Sequence, residues 1–343
     1  MGQVPLSVLR YACHYLPEVF KPAAHMPAMY HLADALLWVP SGIFECELGK
    51  DRHDLAFAAG VIPSEPVWTL LQPFLLRSSQ ALPNSVRIHL NDFLNQVQSP
   101  DFLKAIHGPS LWFEWALAAE SGLPLLDGLY LKSDHLDHPQ YALLDWHNFV
   151  TDMYLALTGV PCPALEQAQI ETVLGLLPES VQASYLGLMF ARNNTLKLCL
   201  TCPELDSLQT LITRLDLPSE AMTDLFERQL AMLGDFWVLN LDLGPTFRER
   251  WGLEAYLHPS HKQDREIVQD WTYWLNALSM CTPEQAEGIR QWQSEPLPFE
   301  QDPAVRKANY KCLNHLKFIS EGGELRVKAY LYFACRFLRT ISR

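Results

Sequence analysis

Leu325-Arg326-Val327-Lys328-Ala329-Tyr330-Leu331-Tyr332-Phe333 is the stretch whose reading decides the fold. It alternates a cation or a phenol with an apolar residue. A β-strand points successive side chains to opposite faces. Arg326, Lys328, Tyr330 and Tyr332 therefore share one face, and Leu325, Val327, Ala329, Leu331 and Phe333 share the other. In a chain with enough helix to cover the apolar face, such a strand suggests a barrel with a wet, functional interior.

Just upstream, His315-Leu316-Lys317-Phe318-Ile319 alternates in the same way, and Glu321-Gly322-Gly323-Glu324 reads as the turn between the two strands. Four more hairpins lie further upstream, giving five in all, near 43–61, 111–132, 184–201, 235–257 and 313–335. The third turn, Asn193-Asn194, is the clearest, because asparagine tolerates the left-handed backbone of a tight turn. Helix-period sequence fills the gaps at 66–77, 85–106, 142–157, 164–177, 205–215, 219–233, 264–278, 283–292 and 302–310. Thr282 before Pro283, and Pro218-Ser219 before an acidic turn, are helix-start signals.

The repeat is thus helix, strand, strand, helix, five times over, with no sequence motif shared among the copies. The expected fold class is α+β: a single domain, 1–343, holding a ten-stranded antiparallel β-barrel built from five αββα repeats inside a ring of helices. Ten strands leave an interior wider than that of an eight-stranded barrel, and closure removes both sheet edges. The competing reading is an α+β protein with an open sheet and stray hairpins.

Composition narrows the function. The 343 residues are 49% hydrophobic and 19% charged, as in ordinary globular proteins. A formal net charge of −13 argues against nucleic acid as a partner and against an anionic membrane surface. No segment approaches the length of apolar sequence that spans a bilayer. The N-terminus lacks the pattern of a signal peptide, so a cytoplasmic protein is expected. The eight cysteines read as small buried hydrophobes in a reducing compartment. Cys199-Leu200-Thr201-Cys202 has CxxC spacing without a second pair, and Asp134-His135-Leu136-Asp137-His138 reads as a surface loop. Gly-rich dinucleotide, Walker, GxSxG and HExxH patterns are absent, so neither a nucleotide cofactor nor haem is indicated.

Strand alternation assigns the interior face. Its cations are Arg192, Lys197, Lys317, Arg326 and Lys328. Clustered cations in a cavity either pair with carboxylates or await an anion, and a diphosphate suits them through charge-assisted bonds. Trp112, Tyr256, Tyr330 and Tyr332 form an aromatic group able to shield a carbocation from water. Glu45, Glu47 and Glu114 are candidates to position a nucleophile or take its proton.

Five αββα repeats with Lys and Tyr alternating on barrel strands resemble the ABBA prenyltransferases, which include indole, aromatic and cyanobactin-peptide prenyltransferases. The most specific pieces are Lys328-Ala329-Tyr330, His315-Leu316-Lys317 and Gly252-Leu253-Glu254-Ala255-Tyr256. The resemblance implies that Arg192, Lys197, Lys317 and Lys328 hold a diphosphate, with His315 and Arg326 beside them. It implies that Tyr256, Tyr330 and Tyr332 shield an allyl cation, and that Glu45 or Glu47 orients the acceptor. The expected partners are an isoprenyl diphosphate and a small aromatic, indole or peptide acceptor. One departure stands out: Glu45, Glu47, Asp242 and Glu254 make this interior more acidic than the family's usual one. That leaves room for a Mg²⁺ at Asp242 and Glu254, or for another peptide- or natural-product-modifying chemistry. The DDxxD signature of all-helical prenyltransferases is absent, as the barrel requires.

Plainer readings stand beside these. Lys317, Arg326 and Lys328 can be structural ion-pair partners of Asp242 and Glu254. The tyrosines can be ordinary strand residues, and Glu45 and Glu47 can face solvent on an edge. A non-catalytic barrel that binds a peptide or metabolite fits the same pattern.

Overall fold

A computed structural model describes residues 8–36, 39–52, 54–61, 68–97, 110–117, 122–132, 143–218, 220–222, 236–257, 264–294 and 306–338. Ten strands form five hairpins. They are β1 (Ser41–Leu48) with β2 (Leu55–Val61), β3 (Ser110–Ala116) with β4 (Leu125–Lys132), β5 (Gln182–Met189) with β6 (Thr195–Cys202), β7 (Phe236–Asp242) with β8 (Arg250–Tyr256), and β9 (Arg306–Glu321) with β10 (Glu324–Leu338). Each strand pairs antiparallel with its neighbours in sequence, and β10 pairs with β1, so the sheet closes into a barrel. The up-and-down strand order puts the described hairpin turns at one end of the barrel and the helical connections at the other.

The outer layer contains α1 (Val8–Tyr15), α2 (Met26–Ala35), α3 (Trp68–Ser78), α4 (Asn84–Gln96), α5 (Leu143–Thr158), α6 (Ala164–Gly175), α7 (Leu205–Arg214), α8 (Arg265–Ala277) and α9 (Pro283–Ser294). None of the described helices is long and apolar enough to cross a membrane. Two helix starts are capped by side chains, the second at the Thr282-Pro283 signal. The Asp264 carboxylate accepts from the Glu266 and Ile267 amides ahead of α8, and the Thr282 hydroxyl accepts from the Gln285 amide ahead of α9.

The hydrophobic core lies between barrel and helices, and the outward alternates fill it. Phe44, Leu129, Leu198, Leu239, Leu253, Leu316 and Leu331 are each fully buried there. The closing seam is buttressed by aromatics. Phe44 packs on Phe57, Phe333 and Trp292 with ring centroids 5.4, 5.5 and 6.0 Å apart, and Phe57 stacks on Trp115 at 6.2 Å. Burying each such ring stabilises the fold by about 1.5–3 kcal/mol, so this seam closes the barrel on its outer side.

Two helices also grip barrel turns. The Gln285 amide on α9 accepts from the Gly49 N–H at 2.9 Å and donates to its carbonyl at 3.2 Å. Gln169 on α6 does the same to Gly244 at 2.6 and 3.0 Å. Both glycines hold the left-handed side of the backbone map, φ +121° and +118°, where a side chain would be strained. Asn193 and Asn194 likewise have φ 52° and 60°, as the turn reading requires.

Some expected boundaries are corrected. Residues 306–310, read as helix, begin β9, which pairs with β10 along its whole length as far as Arg306 opposite Leu338. The antiparallel ladder with β10 pairs the backbone of this segment along one edge, which outweighs a weak helical period. Arg192, read as a strand residue, lies in the short helical turn Phe190–Arg192. Of the helix expected over 219–233, only Glu220–Met222 is described, as a single 3₁₀ turn. Residues 98–106 of another expected helix and the loop 134–138 lie outside the described residues.

Candidate active site

Register turns the alternation into a polar lining. Glu45 stands opposite Tyr330 and Glu47 opposite Lys328 across the closing seam. Lys328 stands opposite Lys317, and Tyr330 opposite His315. Glu254 stands opposite Lys317, and Lys197 opposite Asp242. Neither Glu45 nor Glu47 lies on a solvent edge: they are 7% and 3% exposed inside a closed barrel.

At the turn end, ion pairs run in an unbroken chain around the rim. Arg52 meets Glu47 at 2.5 Å, and Glu47 meets Arg326 at 2.6 Å. Arg326 meets Glu321 at 3.2 Å, and Glu321 meets Arg250 at 2.6 Å. Arg250 and Arg192 then share Asp242, at 3.2 and 2.7 Å.

Deeper in, Lys328 Nζ bonds one oxygen of Glu45, and the Tyr330 hydroxyl donates to the other at 2.5 Å. Burial opposes a charge on Glu45, but Lys328 and Lys317 outweigh it and hold its pKa well below the usual carboxylate range. Lys317 Nζ donates to Glu254 Oε1 at 2.9 Å and to Asn240 Oδ1 at 3.0 Å. The Tyr256 hydroxyl donates to Glu254 Oε2 at 2.8 Å. Glu254, too, is kept ionised against burial, by Lys317 and then His315.

On the far wall Lys197 Nζ donates to the Tyr130 hydroxyl at 3.2 Å, which donates to Glu114 Oε2 at 2.9 Å. Burial, then the charges of Lys317 and Arg192, pull the Lys197 pKa down to about 8. Burial, then Glu45 and Asp127, push Glu114 up to about 7. Two glycines make room here. A Cβ on Gly187 would sit 2.8 Å from the Tyr130 ring, and one on Gly60 would sit 2.8 Å from the Trp112 indole.

These groups border a cavity lined by Glu45, Glu114, Tyr130, Arg192, Lys197, Asn240, Asp242, Arg250, Lys317, Lys328 and Tyr330 among others. Next to it runs a four-ring stack across β7 to β10. Phe236, Tyr256, His315 and Tyr330 follow one another with centroids 4.6, 4.3 and 3.9 Å apart and planes within 30°.

Arg192, Lys197, Lys317 and Lys328, expected to share one anion, therefore do line one cavity. Arg326 and Glu47 lie instead in the rim chain, and His315 and Tyr256 stand behind Tyr330 in the stack. Tyr332 lies farther toward the helical end, edge-on to Tyr310 at 5.9 Å. Trp112 covers Gly60, two strands from the seam.

Asp242 and Glu254 are not a joint metal site. Glu254 is opposite Val238, four residues or about 13 Å along β7 from Asp242, and each carboxylate is already engaged by cations. Among the described residues no cluster of three His, Cys, Asp or Glu side chains could hold a metal ion. The donor set does not fit a protein-held Mg²⁺.

Ion pairing is also distributed differently from the plainer expectation. Lys328 pairs with Glu45 and Arg326 with Glu47 and Glu321, and only Lys317 pairs with Glu254. Tyr130 and Arg250 are site residues that the sequence reading passed over. Gly128-Leu129-Tyr130-Leu131-Lys132 carries the same alternation as β10, and Arg250 continues the Gly252, Glu254, Tyr256 face by one step.

No protein-family model matches the chain, and no curated protein matches it. Solved structures do. A 6-dimethylallyltryptophan synthase from Micromonospora olivasterospora, in complex with DMASPP and Trp, superposes with a TM-score of 0.61 at 12% identity, over 96% of this chain and 97% of its own. The 5-dimethylallyltryptophan synthase from Streptomyces coelicolor gives 0.62 at 14%, over 95% and 97%. The prenyltransferase PriB, in ternary complex with L-tryptophan and dimethylallyl thiolodiphosphate, gives 0.58 at 12%, over 95% and 96%. The chain thus has the ten-stranded barrel fold of the ABBA-type aromatic prenyltransferases along nearly its whole length.

Proposed function

We propose that this chain transfers a prenyl group from an allylic isoprenyl diphosphate to an aromatic or indole acceptor inside the barrel. The observation that carries the reading is the convergence of Arg192, Lys197, Lys317 and Lys328 on one cavity beside Tyr330 and its ring stack. Whole-chain likeness to enzymes crystallised with an allylic diphosphate analogue and tryptophan supports it.

In this reading the four cations take the diphosphate and stabilise the charge it gains as the allylic C–O bond breaks. Tyr330, with Tyr256 behind it, turns an electron-rich face toward the allyl cation and keeps water away. The acceptor ring supplies the electron pair of the new carbon–carbon bond and then loses a proton. Glu45 suits the acceptor better than Glu47, because Glu45 lines the cavity while two arginines hold Glu47 at the rim. Glu45, the ionised carboxylate on the cavity wall, is placed to receive the proton. The described cysteines are buried thiols, which suits a reducing, cytoplasmic compartment.

Incubation with dimethylallyl or geranyl diphosphate and a library of aromatic, indole and peptide acceptors tests the proposal. A prenylated product is expected, and Lys317→Ala and Lys328→Ala abolish it. Full activity in both variants refutes the diphosphate site.

One observation favours a second reading. Each cavity cation already has a carboxylate or phenol partner. A barrel that is self-neutralised in this way could use its carboxylates on a peptide or natural product, or bind a ligand without chemistry. A ligand that raises the melting temperature and is recovered unchanged distinguishes that case.

A further inference from the structure

The interior wall carries no surplus of positive charge. Arg52, Arg192, Lys197, Arg250, Lys317, Arg326 and Lys328 stand against Glu45, Glu47, Asp54, Glu114, Asp242, Glu254 and Glu321. A diphosphate adds several negative charges to this balanced, largely desolvated space. Such a charge is tolerated in a buried site only when compensated. The compensation can come from a metal ion arriving with the ligand, or from protons taken up by the wall.

One carboxylate is built for the second route. Glu45, Glu47, Asp242, Glu254 and Glu321 each hold a cation within 4.0 Å. Among the described residues Glu114 holds none. It is 7% exposed, it lines the cavity, and the Tyr130 hydroxyl is its hydrogen-bond partner. The groups that act on it are Asp127 and Tyr130 on β4, Lys197 on β6, Glu45 on β1, Lys328 and Tyr330 on β10, and Arg192 beyond β5, while β2 presents only Ala58 opposite it. Two of these cations, Lys197 and Lys328, favour its charged form, and both belong to the proposed diphosphate site.

We infer that diphosphate binding is coupled to protonation of Glu114, so that the ligand enters this neutral barrel together with a proton. The inference rests on the proposed prenyl-diphosphate reading. The ligand draws the positive charge of Lys197 and Lys328 to itself and adds negative charge across the cavity from Glu114. Both changes disfavour the Glu114 carboxylate. Glu114 begins near neutrality at about 7, so a modest further rise moves it through the working pH range. The neutral acid keeps its place against Tyr130, and the cations that had stabilised it are released to the phosphates.

The test is calorimetric titration of inorganic diphosphate into the full chain. It uses two buffers of different ionisation enthalpy, at pH 8 and pH 6, with and without Mg²⁺. Diphosphate itself titrates, so the readout is the difference between wild type and Glu114→Gln. At pH 8 wild type takes up about one proton more per bound diphosphate than Glu114→Gln. At pH 6 the difference shrinks toward zero, because Glu114 already carries its proton. Tyr130→Phe removes the bond that favours the ionised carboxylate, so it takes up less than wild type at pH 8. Equal proton counts in wild type and Glu114→Gln overturn the inference and leave the proposed function standing. Equal counts with binding that appears only in Mg²⁺ overturn it in favour of the metal route. Absence of diphosphate binding in wild type overturns both the inference and the function on which it rests.

Discussion

Breaking the Lys317–Glu254 pair tests whether the barrel interior is held by its own charges. Lys317 is 7% exposed and Glu254 9%, and their charged atoms are 2.9 Å apart. At an effective dielectric constant of about 20, that separation gives an attraction of roughly 6 kcal/mol. Desolvation offsets much of it, so the net worth of the pair is small. Removing one partner, however, strands the other. Glu254→Gln leaves the Lys317 ammonium with neutral amide oxygens alone as short contacts, that of Asn240 at 3.0 Å and that of the introduced amide. The expected loss is about 3–5 kcal/mol. Lys317→Met leaves Glu254 with the Tyr256 hydroxyl and the Asn240 amide as donors, so the loss is smaller, about 2–3 kcal/mol. The double variant strands no charge and should be more stable than the sum of the single losses by about 2 kcal/mol or more. Urea unfolding of the four proteins at pH 7, with m-values compared, measures this coupling. Single losses that simply add, within about 0.5 kcal/mol, would refute the reasoning.

Three further outcomes are expected. Glu114→Gln should stabilise the protein at high pH. The folded pKa of about 7 lies above the ordinary 4.5, so the penalty on wild type is absent below pH 4.5 and complete above 7, reaching about 3 kcal/mol; unfolding at pH 4 and pH 8 should show no gain and a full gain, respectively. Gly187→Ala should displace the Tyr130 ring, lowering stability by about 1–3 kcal/mol and prenyl transfer with it, whereas Gly175→Ala, with nothing near its Cβ, should do neither. Gln285→Ala should free the Gly49 turn at a loss of about 1–2 kcal/mol, seen as faster amide exchange at Gly49.

The fold is legible in this chain because alternation is a local signal. Each hairpin carries its own turn chemistry, as at Asn193-Asn194 and Gly322-Gly323, and each strand carries its own polar and apolar faces. Lys328 and Tyr330 could thus be placed on the interior wall from β10 alone. Partnership is not local. Which acid neutralises Lys328 depends on the closing register, which places Glu45 within reach of it, from the opposite end of the chain. Asp242 and Glu254 share the interior face in sequence, and their separation along β7 and their cation partners are what disqualify them as a metal pair. Tyr130 is hidden by the leucines around it, and its importance depends on Gly187 across the ladder leaving space for its ring. The start of β9 is obscured for a different reason: its strand character comes from pairing with β10, and its own residues carry little of it.

The most direct test of the account follows both products of a single turnover. Wild-type protein mixed with dimethylallyl diphosphate and an aromatic acceptor should release inorganic diphosphate, seen by phosphorus NMR, in a one-to-one ratio with prenylated acceptor seen by mass. Dimethylallyl diphosphate recovered intact beside an unmodified acceptor library, from a protein that nevertheless binds it, would contradict the account.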